Sequence, residues 1–240
     1  MHNESARRIN RLARMLAAQN YLEIGVQRGR TFCFVNIPEK IAVDPAFKFD
    51  TSARPGNEQF FSLTSDEWFT QFAHGKLFDV IFIDGLHEFG QAFRDFCNSF
   101  FVSHPRTIWL IDDTIPSDIY SAWPDERQSV ELRRNELERI VGTKVPKRWS
   151  GDVFKLVIAI HDYFPLLSYC TIMDGGKPQT VVWRQARPKF EPLVGSLEAV
   201  SRLTYFEFRK NIAAFNGMSE DEAFRTLANV LDHTCVETHA

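Results

Sequence analysis

The chain has 240 residues, 44% of them hydrophobic and 25% charged, with a formal net charge of −3. That length suits one large domain or one domain with appendages, and the slightly acidic balance speaks against nucleic acid as a partner, which demands a basic face. No apolar run approaches the roughly 18–20 residues of a membrane span, and the arginine-rich first 20 residues lack the apolar stretch of a signal peptide. No membrane partner is therefore expected, and a cytoplasmic location is.

The first predicted element is an amphipathic helix with Ile9, Leu12, Met15 and Leu16 on its apolar side, expected to pack beside the first strand. The segments "NYLEIGV" (20–26), "KIAVDP" (40–45) and "FFSL" (60–63) read as short strands, the first ending in Gly25 and the second stopped by Pro45. Thr64 with Glu67 three residues on fits a capping box, with Ser65 the rival cap. "FDVIFID" (78–84) is apolar almost throughout, so it predicts a strand buried on both faces and hence a parallel sheet. Phe89, Phe93, Phe96, Cys97 and Phe100 then share one stripe of a helix, and "TIWLIDD" (107–113) reads as a fifth strand.

Beyond the fifth strand, residues 125–141 read as a charged helix facing solvent, and 151–164 as a helix capped by Asp152 and buried on one side. Strands at 167–173 and 180–186 are separated by the hairpin-like turn "DGGKPQ". The last fifty residues read as two helices, the final one capped by Ser219 with Glu222. Strands alternating with helical segments predict βαβ units and an α/β, doubly wound sheet. Residues 1–190 form the main domain on this reading, and 191–240 a helical extension. Pro116, Pro124 and Pro146 flank an insertion, 114–150, expected to act as a lid or a substrate-facing cap. Cys33, Cys97, Cys170 and Cys235 are widely spaced and are expected to be reduced and mostly buried.

Parallel sheets of this kind bind ligands at the carboxyl ends of their strands. The first such loop, "EIGVQRGRT", offers Gly25 and Gly29 for close backbone approach, and a helix predicted to start near Arg30 or Thr31 would suit a carboxylate or phosphate. Asp44 closes the second strand where a carboxylate accepts hydrogen bonds from ribose hydroxyls. The spacing E-x-G-x-x-x-G departs from the dinucleotide fingerprint, and the acidic Glu23 suits a ligand with cationic character such as S-adenosylmethionine. Asp84 ends the fourth strand and Asp112 and Asp113 end the fifth, 28 residues later, an interval of about one βαβ unit. Three carboxylates crowded at neighbouring strand tips repel unless a cation lies between them, and oxygen ligands favour magnesium, calcium or manganese. His87, three residues past Asp84, has the ordinary pKa to serve as general base toward a hydroxyl acceptor. Glu88 is a lesser candidate ligand.

These segments, with "VIFIDGLHEFGQAFRD" and "WSGDVFK", resemble the class I S-adenosylmethionine-dependent methyltransferases over roughly residues 18–185, above all the bacterial branch of macrocin-type O-methyltransferases. The resemblance implies a seven-stranded Rossmann-like sheet of order 3-2-1-4-5-7-6 with strand 7 antiparallel. It implies cofactor contacts at Glu23, Gly25, Gly29, Thr31, Asp44 and Asp84, and at Thr64 and Ser65 near the adenine. It also implies a divalent metal, magnesium first, at Asp84, Asp112 and Asp113, and a base at His87. A small-molecule or glycoside acceptor follows from the branch. The turn before the fifth strand departs from the family pattern, and the helices after 190 match nothing in it; they are expected to mediate homo-oligomer formation or to cover the pocket. Three other readings stay open at the level of sequence: a metal-independent methyltransferase, a non-catalytic S-adenosylmethionine-binding protein, and a nicotinamide dehydrogenase.

Overall fold

The computed structural model describes residues 3–52, 54–146 and 148–237, with side chains to residue 231. Cys235 therefore lies outside the described side chains; Cys33, Cys97 and Cys170 are free thiols.

Eight strands form one sheet: β1 (Asn20–Ile24), β2 (Glu39–Val43), β3 (Glu58–Phe61), β4 (Phe78–Ile83), β5 (Ser103–Ile111), β6 (Leu167–Ile172), β7 (Gln179–Arg184) and β8 (Gly217–Met218). Their order is β3-β2-β1-β4-β5-β7-β6-β8. The first five are parallel to one another, and β7 runs antiparallel to both β5 and β6. This is the expected doubly wound sheet. The eighth strand is an addition: it comes from the region read as purely helical and pairs with β6 in parallel.

Helices cover both faces, because each inner strand is apolar on both sides. On one face Leu22, Ile24, Ile81, Ile83, Trp109 and Ile111 pack under α2 (Ser65–Gln71), α3 (Phe89–Ser99) and α6 (Phe154–Tyr163). On the other, Tyr21, Val80, Phe82, Ile108 and Leu110 pack against α1 (Glu4–Leu16) and against α9 (Glu220–Glu237), through Phe224 and Leu227. The residues alternate along each strand, as the pleat requires.

Helix ends follow their caps. The Asn3 side chain accepts from Ala6 N at 3.0 Å to start α1, and Thr64 with Glu67 closes the capping box of α2. Ser219 and Glu222 exchange the same bonds before α9. The insertion holds α4 (Glu126–Leu132), a π turn at Arg133–Leu137 and α5 (Glu138–Val141), running on as the charged helix expected over 125–141. Three sequence readings are corrected. The glycine loop after β1 leads into a single 3-10 turn, Phe32–Phe34, and not into an α-helix. The C-terminal region holds α7 (Leu197–Ser201) and α8 (Tyr205–Lys210) besides β8 and α9, more than the two helices expected. Asp152 does not cap α6; it serves another helix, described below.

Candidate active site

The sheet register brings the strand tips level. Ile24 of β1 lies opposite Val43 of β2 and Ile83 of β4, and Ile83 lies opposite Ile111 of β5. The residues that follow are Gly25, Asp44, Asp84 and Asp112, so they line one edge. Asp84 N donates to Ile24 O at 2.9 Å and Asp112 N to Ile83 O at 3.0 Å, holding the tips together.

At the β4–β5 tips, His87 Nε2 lies 3.5 Å from an Asp84 oxygen and 3.3 Å from an Asp113 oxygen. One donor atom from each of these three residues lies within 4.8 Å of the others. The other ring nitrogen, Nδ1, is 3.3 Å from the Trp149 carbonyl, and the Trp149 ring stacks on the imidazole at a centroid distance of 4.7 Å. The ring is thus fixed by a carbonyl at one nitrogen and two carboxylates at the other.

Asp112 and Asp113 part company. Asp113 takes a left-handed φ of +55°, which aspartate tolerates better than most residues. The turn aims Asp113 at His87 and at Ser150 Oγ, 3.3 Å away. Asp112 is buried on the other side, where it forms an ion pair with Lys177 from the β6–β7 turn and accepts from Asp113 N at 2.9 Å. The three acids expected together are therefore divided: Asp84 and Asp113 share His87, and Asp112 shares Lys177.

The charges respond accordingly. Burial pushes both Asp112 and Asp113 upward, and the neighbouring carboxylates add to it, opposed by Lys177 and, for Asp113, by His87. Burial alone would lower His87. The Asp84 hydrogen bond and the negative charges of Asp113, Asp84 and Asp112 outweigh it and raise the imidazole to about 9.

The glycine turn is built as tightly as it reads. Gly25, at φ +86°, packs so close to the β4 loop that a Cβ there would lie 2.0 Å from Asp84 O. Asp44 shapes the turn, accepting from Val26 N (3.0 Å) and Gln27 N (2.7 Å) at one oxygen and Ala46 N (2.7 Å) at the other. Glu23 is buried against Tyr21, whose hydroxyl donates to it at 2.6 Å, and burial pushes its carboxyl well above the usual range. Gly29 (φ +66°) abuts Cys33 and Phe49, and Thr31 Oγ1 accepts from Asn3 Nδ2 at 3.3 Å.

Sequence reasoning missed the support under these groups. Gly151, at φ +58°, passes so near the His87 carbonyl that a Cβ would sit 1.7 Å from it. Asp152 Oδ1 accepts from Phe89 N at 2.6 Å, capping α3, and Oδ2 accepts from Lys155 Nζ at 2.8 Å. It thereby anchors the far end of the loop that carries His87. The "WSGDVFK" segment held the signal, but only the fold shows which helix it caps. Of the candidate pocket aromatics, Trp149 stacks on His87 and donates to the carbonyl of the half-exposed Trp123, whereas Phe154 is buried in the core. Lys177 gave no signal, being one lysine in a turn.

Ser65 does not face the tips freely. Its hydroxyl donates to Asp95 Oδ1 at 2.6 Å, and Gln91 Nε2 donates to the same oxygen at 2.9 Å. Asp95 is buried beside Gly85, and burial raises it from 3.8 to about 6. The folded state thus holds this proton more tightly than the unfolded chain. The stability it supplies is full below about pH 4 and is lost as pH rises through 6. Asp95→Asn is expected to stabilise the fold by up to roughly 3 kcal/mol at pH 7.5 and by nearly nothing at pH 4. Guanidinium unfolding at the two pH values measures this; equal effects at both would show that the carboxyl is not strained.

The strand order, with its antiparallel β7, is that of the class I methyltransferase fold. Residues 22–114 match a family described as a methyltransferase domain, and no curated protein matches the chain significantly. Among solved structures, the S-adenosylhomocysteine-bound methyltransferase PaMTH1 of Podospora anserina is similar at 13% identity and a TM-score of 0.53, over 77% of this chain and 80% of that one. The O-methyltransferase TomG of Streptomyces achromogenes, solved with S-adenosylmethionine, is similar at 14% identity and a TM-score of 0.50, over 78% and 82%. These likenesses are ones of fold. No described helix is long and apolar enough to cross a membrane.

Proposed function

We propose that this protein transfers the methyl group of S-adenosylmethionine to a hydroxyl of a small molecule or sugar, as in the macrocin-type branch its IDGLHE segment resembles. The observation that carries the proposal is the placement of His87 Nε2 at 3.5 and 3.3 Å from Asp84 and Asp113, at adjoining strand tips beside the glycine turn. The match of residues 22–114 to a methyltransferase domain supports it.

The donor belongs at the tips of β1 to β4, against Glu23, Gly25, Gly29, Thr31, Asp44, Thr64, Ser65 and Asp84. A carboxylate offers about four acceptor positions. Asp44 uses three on backbone N–H groups, leaving one for a ribose hydroxyl. The 3-10 turn after β1 offers no α-helix N-terminus, which is what a dinucleotide pyrophosphate would need; this disfavours the dehydrogenase reading.

The oxygens of Asp84 and Asp113 fit a divalent cation such as magnesium or manganese, which would lower the pKa of a bound hydroxyl. His87 then acts as the base. With Nδ1–H donated to the Trp149 carbonyl, the neutral tautomer leaves the Nε2 lone pair on the side of Asp84 and Asp113, where a cation-bound hydroxyl would lie. The pull of the two carboxylates is what holds the proton on His87, and a cation shared by them cancels that pull. A second reading is favoured by one observation: Nε2 lies within ligating reach of the same oxygens, so His87 is a third ligand. We assign the body of the acceptor to a cavity of about 520 Å³ that begins at Glu88 and is walled by Phe89, Phe93, Pro124 and Leu197.

The test is transfer from labelled donor to a panel of hydroxyl acceptors, with and without a chelator. Transfer should stop on chelation and return with Mg²⁺ or Mn²⁺; undiminished transfer would remove the cation from the reaction. Asp44→Ala should weaken S-adenosylhomocysteine binding by about tenfold, the scale of one lost hydrogen bond to a charged group, in isothermal titration. An unchanged Kd would take Asp44 out of the donor site.

A further inference from the structure

The β6–β7 turn lies at the same edge as the strand tips, since Thr180 of β7 pairs with Ile111 of β5, and it is held there by buried groups. Arg8 of α1 is fully buried. It donates to Lys177 O at 2.5 Å, to Asp174 O at 2.9 Å and to Gln179 Oε1 at 2.8 Å, and its Nε pairs with Glu220 of α9 at 2.9 Å. Glu220 N in turn donates to Asp174 Oδ1 at 2.9 Å. Gly175 packs on the Arg8 guanidinium, where a Cβ would lie 3.1 Å from Nη2. The turn is thus clamped between the first and last helices. From it the Lys177 ammonium reaches the buried Asp112 carboxylate, and its charge is also felt at Asp84 and Asp113.

We propose that Lys177 is a tethered cation that claims Asp112 and keeps it out of the metal-ligating set, so that a divalent ion meets the carboxylates of Asp84 and Asp113, beside His87, and not that of Asp112. This rests on the cation reading of the site given above. Lys177 is a positioning residue: it sets the charge and the membership of the ion site without touching the acceptor. The charge count agrees. Three carboxylates stand against the single Lys177 ammonium, and that ammonium opposes any second cation at the tips. Removing Lys177 should therefore make the ion bind more tightly, the reverse of what loss of a ligand does.

The experiment is titration of the full chain with Mn²⁺ alone, read by calorimetry and by the electron paramagnetic resonance signal of free Mn²⁺. Lys177→Met should bind Mn²⁺ about tenfold more tightly than wild type, the scale of one like charge removed a few ångströms away. Lys177→Gln, which keeps a hydrogen-bonding side chain, should tighten likewise, and Lys177→Arg should match wild type. The double variant K177M/D112N should return to within about threefold of wild type, because it deletes the pair as a unit. If wild type binds Mn²⁺ and the uncharged variants bind it equally well, Lys177 has no such role. If the double variant loses binding, Asp112 is a ligand and the proposal falls. If wild type and all variants fail to bind Mn²⁺, the cation reading fails, and this inference with it. A purely structural role would lower the melting temperature and leave Mn²⁺ affinity unmoved.

Discussion

Asp152→Ala is expected to cost 3–5 kcal/mol of folding stability, the scale of breaking one partner from a buried ion pair. Lys155 is buried, and without Asp152 its ammonium keeps the Ser201 carbonyl at 2.7 Å and the face of the Phe154 ring, and no carboxylate among the described residues. The Phe89 amide at the start of α3 loses its cap as well. For a domain of this size the melting temperature should fall by roughly 10 °C. The loop from Gly85 to Glu88 should loosen at the same time, since the Asp152 carboxylate pins the Phe89 amide at its far end, and its loss leaves only the backbone bond from residue 152 N to the His87 carbonyl at 3.3 Å. Thermal unfolding by circular dichroism measures the first effect and amide exchange at Phe89 the second. Adding Lys155→Met should recover part of the loss by removing the stranded charge. A fall below about 1 kcal/mol in the single variant would mean that water takes over the work of the carboxylate.

The second large effect concerns His87. Under the proposed chemistry, His87→Ala lowers methyl transfer by about a hundredfold or more, the usual contribution of a positioned general base. Donor binding should stay within about twofold, because His87 adjoins the proposed donor contacts through Asp84 alone and otherwise faces Asp113 and Trp149. Mn²⁺ affinity separates the two readings of the imidazole. Retained affinity supports the base, and a large loss supports the third ligand. Transfer at the wild-type rate in this variant would remove His87 from the mechanism under either reading.

Much of the fold was legible because the inner strands are apolar on both faces. "VIFID" carries no alternation, and only a sheet covered on both sides buries such a run; the alternation of strands and helices then ordered it. The capping boxes at Thr64 and Ser219 were readable for a local reason: both partners lie within four residues. The helix expected after Gly29 was not formed, because Phe32 turns into the core against Tyr21 and Phe60, and a 3-10 turn suffices to seat it. The short β8 escaped notice since two residues carry no period.

The candidate site divides along the same line. Amino-acid order alone determined that Asp84, Asp112 and Asp113 end two adjoining strands and that His87 follows one of them, because strand length and the βαβ interval are local properties. Only the tertiary structure decided how the three acids are shared out. A left-handed turn at Asp113 sends neighbouring carboxylates to opposite partners. Those partners come from far along the chain: Lys177 is held by Arg8 and Glu220, and His87 is braced by Trp149, Gly151 and Asp152. Charge acts through space and not along the sequence, so which acid meets which cation is settled only once the sheet has brought its tips together.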